Sequence, residues 1–120
     1  MNKFDLEERL ITFSVLIIDI VNEMLNSKAG NHLSGQLVRS GTSVSLNYGE
    51  AQSAESKKDF IHKMKIILKE LRETHVCLKI ILRSRLYKAE NKINKAIKEN
   101  NELISIFVKS IETSHKNLHS

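Results

Sequence analysis

The sequence predicts an all-α fold, an antiparallel up-down-up-down four-helix bundle, and three observations carry that expectation. Proline and tryptophan are absent, glycine occurs four times, and aromatic residues make up 5% of the 120. Sandwiches and barrels depend on Gly/Pro turns and on aromatic or β-branched strands, so an all-β fold is excluded. Apolar residues are 41% and charged residues 28%, enough to bury a core and too hydrophobic for intrinsic disorder. Finally, the apolar residues recur at three- and four-residue steps in long runs separated by short polar breaks. That is the pattern of amphipathic helices joined as antiparallel neighbours. One domain over residues 1–120 is expected from the length.

The first helix is expected over about 4–26. Asp5, Glu8, Thr12, Asp19, Glu23 and Asn26 share its narrow polar face, while Leu10, Phe13, Leu16, Ile17, Ile18, Val21, Met24 and Leu25 cover most of the rest. A single bundle core takes an apolar stripe of roughly a third of the circumference. This helix has about twice that, so it is expected to meet a second surface.

Lys28-Ala29-Gly30-Asn31 reads as a stop and a start, with Gly30 in the left-handed C-terminal position and Asn31 as N-cap. The second helix, about 32–52, places Leu33, Leu37, Val44 and Tyr48 on one face. It is rich in small residues, among them Gly35, Ser40, Gly41, Ser45 and Gly49. Each interior glycine costs about 1 kcal/mol of helix propensity, and close helix–helix approach is expected to offset it. Ser56-x-x-Asp59 reads as a capping box opening a third helix over about 57–85. Its core positions are Phe60, Met64, Ile67, Leu71, Thr74, Leu78 and Ile81. A fourth helix, about 88–115, uses Ile93, Ile97, Ile104, Phe107, Val108 and Ile111.

A single cysteine permits no intramolecular disulfide, which suits a reducing compartment. The start, Met1-Asn2-Lys3-Phe4-Asp5-Leu6-Glu7-Glu8, is acidic and amphipathic, unlike a signal peptide. The longest apolar run, Val15 to Val21, is broken by Asp19 and is too short to span a bilayer. A cytoplasmic protein with no membrane contact is expected. A di-iron bundle needs two Glu-x-x-His motifs, and only Glu112-Thr113-Ser114-His115 is present. His75 and Cys77 are too close on one helix to face each other, so Cys77 reads as a packing residue. No metal site, no cofactor and no catalytic residue is expected, and the chain reads as not an enzyme.

Charge is uneven. Residues 1–56 carry net −3, residues 57–98 net +9 and residues 99–120 net −1, for a total of +5. Positions 58, 62, 65, 69, 72, 76, 79 and 83 alternate steps of four and three, so they share one stripe of the third helix. Their occupants are Lys58, His62, Lys65, Lys69, Arg72, Val76, Lys79 and Arg83. A solvated face usually alternates in sign, and this one does not. Lys88, Lys92 and Lys95 extend the positive area onto the fourth helix. The expected partner is RNA or DNA, bound through phosphates without sequence preference. The alternatives are a protein-interaction scaffold, in which the stripe meets acidic residues of another subunit (Asp5, Glu8, Asp19 and Glu23) or of a partner protein, and a stripe that serves solubility alone.

In the second helix, Gln36-Leu37-Val38-Arg39-Ser40-Gly41-Thr42-Ser43-Val44-Ser45-Leu46-Asn47-Tyr48-Gly49-Glu50-Ala51 carries a motif. It resembles the Gln-Leu-Arg-Arg-Ala…Ser-Ile…Asn-Ile-Ala-Glu-Gly signature of the bacterial four-helix-bundle proteins encoded by intervening sequences of 23S ribosomal RNA genes. Asp59-Phe60-Ile61-His62-Lys63, Lys69-Glu70-Leu71-Arg72-Glu73-Thr74 and Ser110-Ile111-Glu112-Thr113 are similar to further family patterns, so the likeness spans about residues 10–117. Val38 replaces the first Arg, no Pro follows Ser43-Val44, and the small residue is shifted at Gly49/Ala51. The resemblance implies an antiparallel bundle assembled as a homopentamer. It also implies kinship with the accessory protein of diversity-generating retroelements, a basic pentamer that binds nucleic acid and a reverse transcriptase. It implies no catalytic residues. The matched polar positions Arg39, Ser43, Asn47 and Glu50, with Glu73 from the third helix, are expected to form a buried cluster that fixes helix register. A binding role is the alternative for them.

Overall fold

The structure, a computed structural model, describes residues 1–119. Four helices follow in chain order: α1 (Lys3–Asn22), α2 (Lys28–Ala51), α3 (Lys57–Ser84) and α4 (Glu90–His119). Consecutive helices pack together and α4 closes against α1, giving the expected up-and-down bundle with extents of 51 × 22 × 21 Å. The α1–α2 and α3–α4 links meet at one end, where the Leu25 amide donates to the Leu86 carbonyl at 2.9 Å. Leu86 and Tyr87 tuck into the core beneath them.

Helix ends follow from local chemistry, with two corrections. Asn2 and Asp5 form a reciprocal capping box at α1. Ser56 accepts from the Asp59 amide at 3.0 Å, but the Asp59 carboxylate takes the amide of Glu55 instead of Ser56, so half of the expected box forms. The break between α1 and α2 lies earlier than the Gly30-Asn31 reading places it. Helix α1 ends at Asn22, and Ser27 is the N-cap of α2, its hydroxyl accepting from the Gly30 amide at 3.0 Å. Gly30 therefore sits inside the first turn of α2, and its backbone is not left-handed. Its requirement is space: a Cβ there would lie 2.0 Å from the Leu25 carbonyl oxygen. The left-handed cap occurs instead at Arg85, after α3.

The core runs the length of the bundle. Leu10, Phe13, Ile17 and Ile20 of α1 meet Leu37, Val44 and Tyr48 of α2, and Met64, Ile67, Leu71, Leu78 and Ile81 of α3 meet Ile93, Leu103 and Phe107 of α4. Tyr48 and Phe107 pack edge to face at 6.0 Å between centroids. Of the glycines Gly35, Gly41 and Gly49, Gly41 alone meets another helix, where a Cβ would come within 2.8 Å of Ile17; Gly35 and Gly49 face open space.

The seam of α4 is also shifted from its expected register. Its buried residues are Ile93, Ala96, Asn100, Leu103, Phe107 and Ile111, while Ile97, Ile104 and Val108 are half-buried on its flank. A polar residue at the centre hides this seam: Asn100 is fully buried and donates to the Leu71 carbonyl of α3 at 2.9 Å. On α1, the wide apolar arc is only partly covered by the bundle. Phe4, Ile11, Val15 and Ile18 remain 40–67% exposed on the outside of the bundle.

Candidate nucleic-acid interface

Helix α3 has two unlike faces because its apolar and basic residues are interleaved with the same three- and four-residue spacing. One face supplies core side chains between α2 and α4. The other presents Lys58, His62, Lys65, Lys69, Arg72, Val76, Lys79 and Arg83, every one exposed. Among the described residues the six lysines and arginines of this stripe form no ion pair. Lys63, on a different side of α3, is taken by Glu50 at 3.3 Å.

The stripe divides into two parts. At its start, Lys58, His62 and Lys65 line a small hollow with Ile61 and with His115 and Leu118 of α4. At its end, Val76 and Ile80 stand 56% and 46% exposed among the cations. They border a groove of 570 Å³ between α2 and α3 whose walls include Leu33, Ser40, Lys69, Arg72 and Glu73. Cys77 lies in the same groove, its thiol 3.8 Å from the Leu33 carbonyl. Burial, then the nearby Glu73 charge, pushes that thiol up, so it stays a neutral packing group.

Lys88 and Lys95 are exposed, as the basic surface requires. Lys92 is not available to it. Its ammonium donates to Glu23 at 2.9 Å, and the Tyr87 hydroxyl donates to the same carboxylate oxygen at 2.9 Å. These contacts hold the Glu23 carboxyl below the ordinary range and the Lys92 ammonium above it. They also occupy Glu23, which therefore leaves the set of free α1 acids.

Of the five polar positions expected to cluster, Arg39 and Glu73 meet, and Ser43, Asn47 and Glu50 do not join them. Arg39 bridges Glu70 at 3.1 Å and Glu73 at 2.5 Å, with its side chain 52% exposed. Glu50 turns away to Lys63. Ser43 and Asn47 donate to carbonyls of their own helix, Ser40 and Ser43. Arg39 sits on the outer α2–α3 edge, so a buried charged network has no place to form. Glu70, one turn before Glu73, is the partner that the sequence reading missed.

Small hydroxyls and a further ion pair also link the helices. Ser14 and Ser45 are 2.7 Å apart across α1–α2, and Thr74 donates to Ser40 at 2.9 Å across α2–α3. Arg9 grips Glu99 with two hydrogen bonds of 2.7 and 2.6 Å, joining α1 to α4. Of these hydroxyls, Ser40 and Ser45 belong to the small-residue face read on α2 and Thr74 to the core stripe of α3, whereas Ser14 gave no signal. The Arg9–Glu99 pair spans 90 positions and left no local signal. Among the described residues no three His, Cys, Asp or Glu side chains are grouped to hold a metal ion, and no helix is long and apolar enough to cross a membrane.

The geometry defines a class first: a four-helix bundle with an unpaired cationic face on its outside. The family follows from comparison. The model of the 23S rRNA-intervening sequence protein family matches residues 2–109, and the chain belongs to that family. A crystal structure of a protein of unknown function from the S23 ribosomal protein family of Bacteroides thetaiotaomicron superposes with a TM-score of 0.83 at 28% identity. The match covers 93% of this chain and 99% of the other. No curated protein matches in sequence.

Proposed function

We propose that this chain is a non-catalytic, self-associating cytoplasmic accessory protein that binds the phosphate backbone of RNA or DNA through the outer face of α3. The observation that carries the reading is the row of exposed lysines and arginines on one helix, which have no ion-pair partner among the described residues. Lysines act as point charges and α3 offers one half-buried aromatic residue, Phe60, away from the stripe. Binding through such a face is sequence-tolerant. The family resemblance adds the expectation of a pentamer, which would repeat the face around a ring, and of a reverse transcriptase as a protein partner.

The test is a titration of fluorescent single-stranded RNA and duplex DNA over a range of salt. Affinity is expected to vary little with sequence and to fall with salt at a log–log slope of about −0.9 per phosphate neutralised on a duplex. Replacing Lys58, His62 and Lys65 by Gln should weaken binding and flatten the slope. Binding equal to the parent's would remove the stripe as the site. A second reading, a protein-interaction scaffold, is favoured by Val76 and Ile80, since phosphate backbones do not require exposed apolar side chains.

A further inference from the structure

The chain exposes two unpartnered apolar surfaces on different helices. On α1, Phe4, Ile11, Val15 and Ile18 follow one another by seven, four and three residues, a continuous stripe along the outer face. At 100° per residue Glu7 flanks it on one side and Glu8 and Asp19 on the other, all exposed. Between α2 and α3, the groove beside Val76 and Ile80 is lined by Lys69, Arg72 and Glu73, with Lys79 exposed one turn after Val76. Both surfaces are apolar in the middle; the α1 rim is mainly acidic, with Lys3 over Phe4 as its cation, and the groove rim is mainly basic, its acid Glu73 already paired with Arg39.

We infer that these are the two halves of one interface: the α1 stripe of one copy lies in the α2–α3 groove of the next. Symmetric pairing of either surface with itself is disfavoured. Two α1 stripes face to face would oppose Glu7, Glu8 and Asp19 with their equivalents, and two grooves would oppose Lys69, Arg72 and Lys79 with theirs. Pairing unlike surfaces satisfies both rims and buries Val15 and Val76, each more than half exposed in the single chain. Because the joined surfaces differ, every partial assembly keeps one stripe and one groove free at its ends, and association continues as a ring or an open chain. This deepens the proposal of self-association and assigns the basic stripe two duties. Lys69, Arg72 and Lys79 meet the neighbouring copy, while Lys58, His62 and Lys65 stay open to phosphate.

The test uses two full-length variants, Val15→Lys and Val76→Glu, with multi-angle light scattering at micromolar concentration. Both positions are on the surface, and unchanged helical circular dichroism and melting temperature confirm folding. The wild type is expected to be an oligomer and each variant alone a monomer of 13.7 kDa. An equimolar mixture should give a species of twice that mass and no larger. The intact stripe of Val76→Glu fills the intact groove of Val15→Lys, and both remaining surfaces are disabled. A monomeric wild type would overturn self-association itself. A wild-type oligomer that survives Val76→Glu, or two monomeric variants that do not combine, would overturn this pairing while leaving self-association in place.

Discussion

Glu23 marks the end of α1 and ties it to the α3–α4 link by accepting from Lys92 and Tyr87. The Lys92 hydrogen bond, then that from Tyr87, lowers its pKa below the unfolded-state value. A group depressed in this way contributes stability that is complete above the unfolded-state pKa and is lost as pH falls through the folded-state one. Melting temperature is therefore expected to decline as pH falls below the ordinary glutamate value of about 4.3. Glu23→Gln should flatten that part of the profile, and identical profiles for both proteins would dismiss the contact. Arg39 shows the opposite lesson. As part of a buried cluster its removal would cost about 3 kcal/mol. With half its side chain in water, Arg39→Ala is expected to cost about 1 kcal/mol in urea denaturation, mostly by leaving the nearly buried Glu70 carboxylate unpaired.

At the scale of the helix, α2 shows why residue type alone misleads. Gly35, Gly41 and Gly49 look alike in the sequence, yet Gly41 alone touches another helix, at Ile17. Gly41→Ala must displace a β-branched side chain packed in the core and is expected to destabilise by about 1–2 kcal/mol. Gly35→Ala and Gly49→Ala meet nothing and should each stabilise by about 1 kcal/mol through helix propensity. Thermal melts of the three variants check both signs. The core of α3 was legible because its period is unbroken: of the seven expected positions Met64, Ile67, Leu71, Thr74, Leu78 and Ile81 are buried, and Phe60, in the first turn, is half-buried. In α4 the same period passes through Asn100, and an apolar reading slips to the flank at Ile97 and Ile104. Only the Leu71 carbonyl across the bundle explains why an amide belongs there.

At the scale of the molecule, the apolar outer stripe of α1 and the cationic side of α3 are exposed. The salt dependence expected of nucleic-acid binding belongs here, because it depends on the summed field of the stripe and not on any one lysine. Neutralising Lys58 and Lys65 should reduce the slope in proportion to the phosphates they release. The stripe itself was legible because it is a property of one helix, set by three- and four-residue spacing. What the stripe could not reveal was that Lys92 is already paired, or that Val76 and Ile80 open onto a groove.

The sequence by itself determined the four helices, their antiparallel order, the core of α3 and the one-sided charge of its outer face. Each depends on periodicity and on short links, which act within about ten residues. The tertiary structure decided which glycine is crowded, which acids are already occupied, where the α4 seam runs and which apolar residues stay uncovered. Those outcomes depend on distances between residues far apart in the chain. Arg9 and Glu99 meet only after α4 has folded back along α1, and no local pattern records such a meeting.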